Sequence, residues 1–221
     1  MYIVRYADDF VMGFQREQDA RAMREALAAR IAEFGLELHP DKTRVLRFGR
    51  FAHEKCEREG RRRPETFEFL GFTHIAGFNR RRAFQLKRRT SRRKRKAKLA
   101  ELSKSMRRRR HESVRRQHAW LSSVLRGHYL YYGVPTNYAA LKSFRERVRQ
   151  TWHRQLQRRS QRARWNRKRR AAFEKRYVLP LPRIHHPWPS LRHATPSTRG
   201  GSPVREIRSP GSVRGAARAD R

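Results

Sequence analysis

Two adjacent carboxylates, Asp8 and Asp9, stand between two apolar runs, Tyr2 to Tyr6 and Phe10 to Phe14. Tyr2, Val4 and Tyr6 alternate along the first run and Phe10, Met12 and Phe14 along the second, so the stretch reads as a β-hairpin with the acids at its tip. Asp is favoured in turns for local hydrogen bonding alone. A pair of hard carboxylate oxygens at such a tip also suits Mg²⁺, which takes few protein ligands and keeps its waters. Two other candidates carry less. Lys42 sits in the turn His39-Pro40-Asp41-Lys42, where a lysine is ordinarily just solvated. His185-His186 has no further ligand beside it and reads as part of an extended Pro-rich strap from Val178 to Pro189.

The elements that must position these groups follow from apolar spacing. A helix is expected from about Glu17 to Phe34, with the stripe Met23, Leu27, Ile31 and Phe34 and a left-handed cap at Gly35. Leu36 to Leu38 and Arg44 to Phe48 read as short strands, Ala52 to Pro64 as a charged loop, and Phe67 to Ile75 as a hairpin. From Arg80 the character changes: 17 of the 31 residues through Arg110 are Lys or Arg, with Glu101 the only acid. Three helices are expected there. The first holds Leu99, Leu102 and Met106, and the second holds Val114, His118, Leu121, Leu125 and Tyr132. The third runs from Tyr138 to Arg159 with Leu141, Phe144, Val148, Trp152 and Leu156 on one face and Asn137 as its N-cap. Trp120, Tyr132, Phe144 and Trp152 fall at core spacing. The fold class is α+β. Residues 1–78 form a β-containing piece, 79–176 a basic helical piece, and 177–221 a Pro-, Gly- and Arg-rich tail with too little to bury to fold.

The whole chain has 221 residues, with 57 Lys plus Arg against 19 Asp plus Glu, a formal charge of +38. Such an excess implies a polyanionic partner, nucleic acid before a membrane surface. No stretch reaches the roughly 20 apolar residues of a spanning helix, and the strand-like opening Met-Tyr-Ile-Val is no signal peptide. Cys56 is the single cysteine, which excludes an internal disulfide and a Cys-paired zinc site. A cytoplasmic, nucleoid-associated setting in a bacterium is expected.

Tyr6-Ala7-Asp8-Asp9, within Ile-Val-Arg-Tyr-Ala-Asp-Asp-Phe-Val-Met-Gly-Phe, resembles the active-site turn of reverse transcriptases. The resemblance continues in order. Gly35-Leu-Glu-Leu-His-Pro-Asp-Lys-Thr43 is similar to the next palm motif, and Phe67-Glu68-Phe69-Leu70-Gly71-Phe72 to the hairpin that grips the primer. Leu125-Arg-Gly-His-Tyr-Leu-Tyr-Tyr-Gly133, followed by the Trp152 helix, resembles the maturase-specific thumb of group II intron proteins. One such motif is weak; four in order over residues 2 to 160 are specific.

The resemblance implies the end of a polymerase palm followed by a helical thumb, acting in two-metal nucleotidyl transfer. It implies Asp8 as a principal Mg²⁺ ligand and Asp9 as a weaker one, with Tyr6 and Ala7 beneath the primer terminus and Lys42 facing the leaving pyrophosphate. Phe69, Leu70 and Gly71 would hold the primer. Arg88, Arg89, Arg92, Arg93, Lys94 and Arg95 would bind phosphates of template–primer and intron RNA. It also implies another metal-binding Asp and nucleotide-holding fingers upstream, which this sequence does not contain; nor does it contain the endonuclease domain of some members. Alone, the chain is expected not to polymerise DNA, being a truncated gene, a misplaced start or one half of a split protein partnered by an N-terminal polymerase half. The alternative reading is a non-catalytic RNA-binding splicing factor.

Overall fold

Residues Tyr2–Tyr6 (β1) and Asp9–Gly13 (β2) pair antiparallel, with Tyr6 opposite Asp9, Val4 opposite Val11 and Tyr2 opposite Gly13. Paired residues share a face, so Tyr2, Val4, Tyr6 and Val11 lie on one side and Ile3, Phe10 and Met12 on the other. Both faces are therefore apolar, and every residue of β1 is exposed. These features come from a computed structural model that describes residues 1–40, 42–159 and 166–187. Residues 1–188 form one compact unit; Asp41, Trp188, Pro189 and the rest of the expected tail lie outside the described residues.

Helix α1, Glu17–Ala32, ends two residues before the expected limit. Gly35 takes the left-handed cap conformation (φ 67°), and the Leu36 amide returns to the Ile31 carbonyl. Met23, Leu27 and Ile31 are half-buried and no α1 residue is fully buried, while Phe34 lies beyond the helix in solvent. Leu36 to Leu38 and Arg44 to Phe48 do not form the expected strands. Their β-prone residues find no ladder partner among the described residues, and the segment is held by side chains: Arg47 pairs with Glu17 and Glu59. The expected loop from Ala52 contains a helix, α2, Ala52–Arg58. It buries Ala52 and Cys56, one turn apart, too little apolar surface to announce itself as periodicity.

Thr66–Phe69 (β3), Phe72–Phe78 (β4) and Phe84–Thr90 (β5) form one antiparallel sheet in that order. β3 and β4 are joined by Leu70-Gly71, both at positive φ (49° and 76°), which matches the right-handed twist of a tight hairpin. β5 corrects the expectation of an all-helical region beyond residue 78: Lys87, Arg88 and Arg89 mask its alternation, and pairing with β4 along its whole length decides its structure.

Arg92–Arg108 (α3), Val114–Tyr132 (α4) and Tyr138–Gln157 (α5) follow as expected. Leu102, Met106, Leu121, Leu125, Tyr129, Leu141, Phe144, Val148, Trp152 and Leu156 make their shared core. Phe144 and Trp152 are buried in it, while Trp120 and Tyr132 pack against its edge. The Trp152 indole donates to Gln117 (2.8 Å), and Arg110 donates to Gln155 (2.8 Å), closing one end of the bundle. None of the described helices is long and apolar enough to cross a membrane.

One helix and the docking of the C-terminal strap were not foreseen. Helix α6, Arg167–Arg176, begins at Asn166, whose side chain accepts from the Arg169 amide (2.8 Å). It rests on the bundle through Phe173 against Trp152 (5.0 Å) and through Arg149, which bridges Glu146 and Glu174. Residues 178–187 form the extended strap expected from Val178, but they are docked across α4 and α5 rather than part of a tail too poor in apolar residues to fold. Leu179 is buried, and the strap carbonyls of residues 178–180 accept from His118, Arg145 and Tyr129. Side-chain donors to its backbone supply what its own apolar content does not.

Candidate nucleic-acid interface and carboxylate turn

Ala7 and Asp8 are the two residues between β1 and β2, and Asp9 opens β2. Ala7 has φ 53°, a left-handed conformation that disfavours a Cβ by about 1–2 kcal/mol. The Arg5 guanidinium holds the turn by donating to the Ala7 carbonyl (2.9 Å). Asp9 shares a face with Tyr6, and all of residues 5–9 are exposed. The two carboxylates have the oxygen chemistry of a Mg²⁺ site. They are short of a full ligand set: among the described residues no group of three or more His, Cys, Asp or Glu converges. Lys42 lies exposed in the turn after His39, its amide bonded to the His39 carbonyl (3.2 Å), and no ion pair joins it to Asp8 or Asp9.

The other expected residues are gathered at a second place. The Phe69-Leu70-Gly71 tip is clamped against the start of α3 and the end of α4. Ser91 donates its amide to the Gly71 carbonyl (2.9 Å) and its hydroxyl to Glu68 (2.8 Å), and its oxygen accepts from the Lys94 amide as the N-cap of α3. The Tyr131 hydroxyl donates to the Leu70 carbonyl (3.0 Å). The rings of Tyr131 and Tyr132 pack on Phe72 at 6.0 and 5.1 Å. A Cβ on Gly71 would stand 2.8 Å from the Tyr132 hydroxyl, so φ and space both require glycine there. Asn137 stands at the N-cap position of α5 as expected, but its side chain makes no cap hydrogen bond. Fully buried, it accepts from the Thr90 amide (2.9 Å) and donates to the Thr90 hydroxyl and the Tyr132 carbonyl (both 2.8 Å). It thereby fastens the sheet to the bundle.

Arg92, Arg93 and Lys94 are exposed in the first turn of α3, beside this tip, and Arg95 is half-buried. A helix N-terminus is already positive, so cations without an acid there raise the local potential and favour a bound anion. Arg88 and Arg89 point to opposite faces of the sheet. Arg88 lies opposite His74 and bonds Thr136 through its amide (3.0 Å). Burial, and then the charge of Arg88, hold His74 below the usual imidazole range.

Charge divides sharply along the chain. Residues 1–78 carry 14 Lys and Arg against 13 Asp and Glu, whereas residues 79–221 carry 43 against 6. The four acids among the described residues of that second part are all engaged: Glu101 by Lys98, Glu112 by Arg109, and Glu146 and Glu174 by Arg149. Sequence reasoning missed the clamp residues Ser91 and Tyr131 and the exposed cations of α6, among them Arg167, Lys168 and Arg170. The clamp left no local signal; the Asn166 N-cap was the available sign of α6.

A family model described as reverse transcriptase (RNA-dependent DNA polymerase) matches residues 1–74, which span the carboxylate turn, α1, α2 and the β3–β4 tip. No curated protein and no solved structure matches the chain significantly. Residues 1–74 are thus a reverse transcriptase-like polymerase segment, joined in this chain to a strongly basic helical bundle.

Proposed function

We propose that the chain is the C-terminal part of a group II intron-type RNA-directed DNA polymerase and maturase, which binds intron RNA and an RNA/DNA template–primer. The observation that carries this is the Tyr6-Ala7-Asp8-Asp9 tip, held in a left-handed turn inside the segment that matches the reverse transcriptase family. Asp8 and Asp9 would hold Mg²⁺ together with a further carboxylate from a separately encoded N-terminal polymerase half. Bound there, Mg²⁺ supplies charge that activates a primer hydroxyl and steadies a triphosphate. Tyr6 and Ala7 line the floor under the primer terminus, the Phe69-Leu70-Gly71 tip positions the primer, and Arg89 and Arg92 to Arg95 neutralise phosphates, while Arg88, expected with them, lies on the other face of the sheet. Lys42 acts on the leaving pyrophosphate once the two polypeptides are assembled. The apolar faces of β1 and β2 are the surface that half would cover.

Primer extension with Mg²⁺, primed RNA template and dNTPs tests this. The chain alone gives no product, the chain with the upstream-encoded polypeptide extends the primer, and Asp8→Ala abolishes extension by the pair. Extension by the chain alone, surviving Asp8→Ala, would falsify the assignment. A second reading, a non-catalytic RNA-binding splicing factor, is favoured by the incomplete ligand set among the described residues. Promotion of intron splicing undiminished by Asp8→Ala, with no extension by the pair, selects it.

A further inference from the structure

The sheet formed by β3, β4 and β5 has two unlike faces. Strand register places Phe67, Phe72, His74, Phe84 and Arg88 on one of them. That face is covered in part: Phe48 meets Phe67 (5.0 Å), His53 of α2 meets Phe78 (4.6 Å), and Tyr131 and Tyr132 meet Phe72, while Leu86 and one side of Phe78 stay exposed. The opposite face carries Ile75 and, around Gly77, Thr73, Gln85, Lys87 and Arg89, with Arg89 exposed and the others half-buried. Among the described residues, no hydrogen bond, ion pair or ring contact engages those four side chains. The one acid on this face, Glu68, lies at its end and is occupied by the Ser91 hydroxyl.

Gln85, Lys87 and Arg89 alternate along β5 and so stand about 7 Å apart, one extended-nucleotide step from each other. Arg92 and Arg93 follow in the chain, exposed in the first turn of α3. Lys87 does not wave in solvent. Its stem lies across Gly77, where a Cβ would come within 3.0 Å of Lys87 Cδ and Cε and 3.3 Å of Nζ. A charge already laid on the sheet loses less side-chain freedom on binding. No aromatic ring faces this side, so the base stacking that single-strand platforms use is unavailable, and the chemistry present is that of phosphate contact.

We propose that this open face is a contact for the sugar–phosphate backbone of an extended single nucleic-acid strand. It leads the strand, independently of sequence, onto the first turn of α3. The proposal rests on the nucleic-acid-binding reading above and adds Lys87 and Thr73 to it.

The test is a salt titration of the full chain with two fluorescein-labelled single-stranded RNAs of equal length, an oligouridylate and a mixed sequence. Each single-strand phosphate contact contributes about 0.7 to the slope of log affinity against log salt. The Lys87→Gln, Arg89→Gln pair should lower the slope by about 1.4, equally for both RNAs. Lys87→Arg should keep the slope, and Gly77→Ala, which displaces Lys87 without changing charge, should lower it by about 0.7. Should Gly77→Ala fail to fold, the Lys87 variants decide. An unchanged slope in the sheet variants, with a lowered one in Arg92→Gln, Arg93→Gln, overturns the open-face contact and leaves the general reading intact. A loss confined to one of the two RNAs overturns sequence independence. Absence of salt-dependent binding by any form defeats the nucleic-acid reading itself.

Discussion

Among single residues, His128 carries the largest resolved consequence for stability. Burial, with a smaller contribution from the charge of Lys98, pushes its imidazole down to about 4, and the ring stacks on Phe144 at 3.8 Å. The native chain therefore keeps His128 neutral while the unfolded chain protonates it near 6.5. Its contribution is fully present above pH 6.5 and is lost as pH falls towards 4, at about 1.4 kcal/mol per pH unit. The total is on the order of 3 kcal/mol. Urea midpoints at pH 7.5 and pH 5 should differ clearly for the native chain and much less for His128→Phe, which keeps the stacked ring. Equal differences in both proteins would assign the acid sensitivity to other groups, such as His74 and His153, whose pKa values burial also lowers. The residues of the carboxylate turn were legible in the sequence because a turn and its two flanking runs are local. The clamp of Tyr131 on the Leu70 carbonyl, 61 residues apart, was not, since no local pattern encodes which distant carbonyl a hydroxyl will find.

At the scale of elements, the strap depends on one small residue. Gly133 follows α4, and its carbonyl accepts from the amides of both His185 (2.8 Å) and His186 (3.0 Å). A Cβ there would collide with the Tyr129 carbonyl and stand 2.8 Å from the Arg183 carbonyl. Both obstacles are backbone, so Gly133→Ala should destabilise the chain by about 1–3 kcal/mol. It should also make residues 178–187 sensitive to protease, while Leu130→Ala, at an exposed position, leaves them protected. Helices α4 and α5 were readable because Leu121 and Leu125, or Phe144, Val148 and Trp152, recur at helical spacing and are buried as that spacing demands. The strands expected at Leu36 to Leu38 and Arg44 to Phe48 failed for the converse reason: β-prone residues make a strand only beside another strand. β5 hid behind its cations; the strap was legible in its prolines, but not the side-chain donors of α4 and α5 on which it docks.

At the scale of the molecule, two regions of opposite character are joined. The bundle places its large side chains, Leu121, Leu125, Leu141, Phe144 and Val148, at no exposure at all. The β1–β2 hairpin leaves Tyr2 83% and Tyr6 66% exposed, and an isolated two-stranded hairpin is marginal in water. Native-state hydrogen exchange should therefore find the slowest amides between residues 141 and 156 and fast exchange over residues 2–13. Slow exchange over the hairpin in the free chain would mean that its two apolar faces are already covered in solution. The near-balance of charge in residues 1–78 fits a region built to join other protein. The excess beyond it fits a region built to join phosphate.

The buried amide of Asn137 has a consequence for the order in which the chain assembles. It is bonded to Thr90 across 47 residues of sequence, whereas α4 and α5 are separated by a turn of five. Closing the longer loop costs roughly 3 kcal/mol of chain entropy before either Asn137–Thr90 bond forms, whereas the bond to the Tyr132 carbonyl lies within the turn. The α4–α5 pair can condense first, carrying Asn137 in its turn as a preformed socket. The β3–β5 sheet is then captured late, through the Asn137–Thr90 bonds together with other long-range links such as Tyr131 to the Leu70 carbonyl.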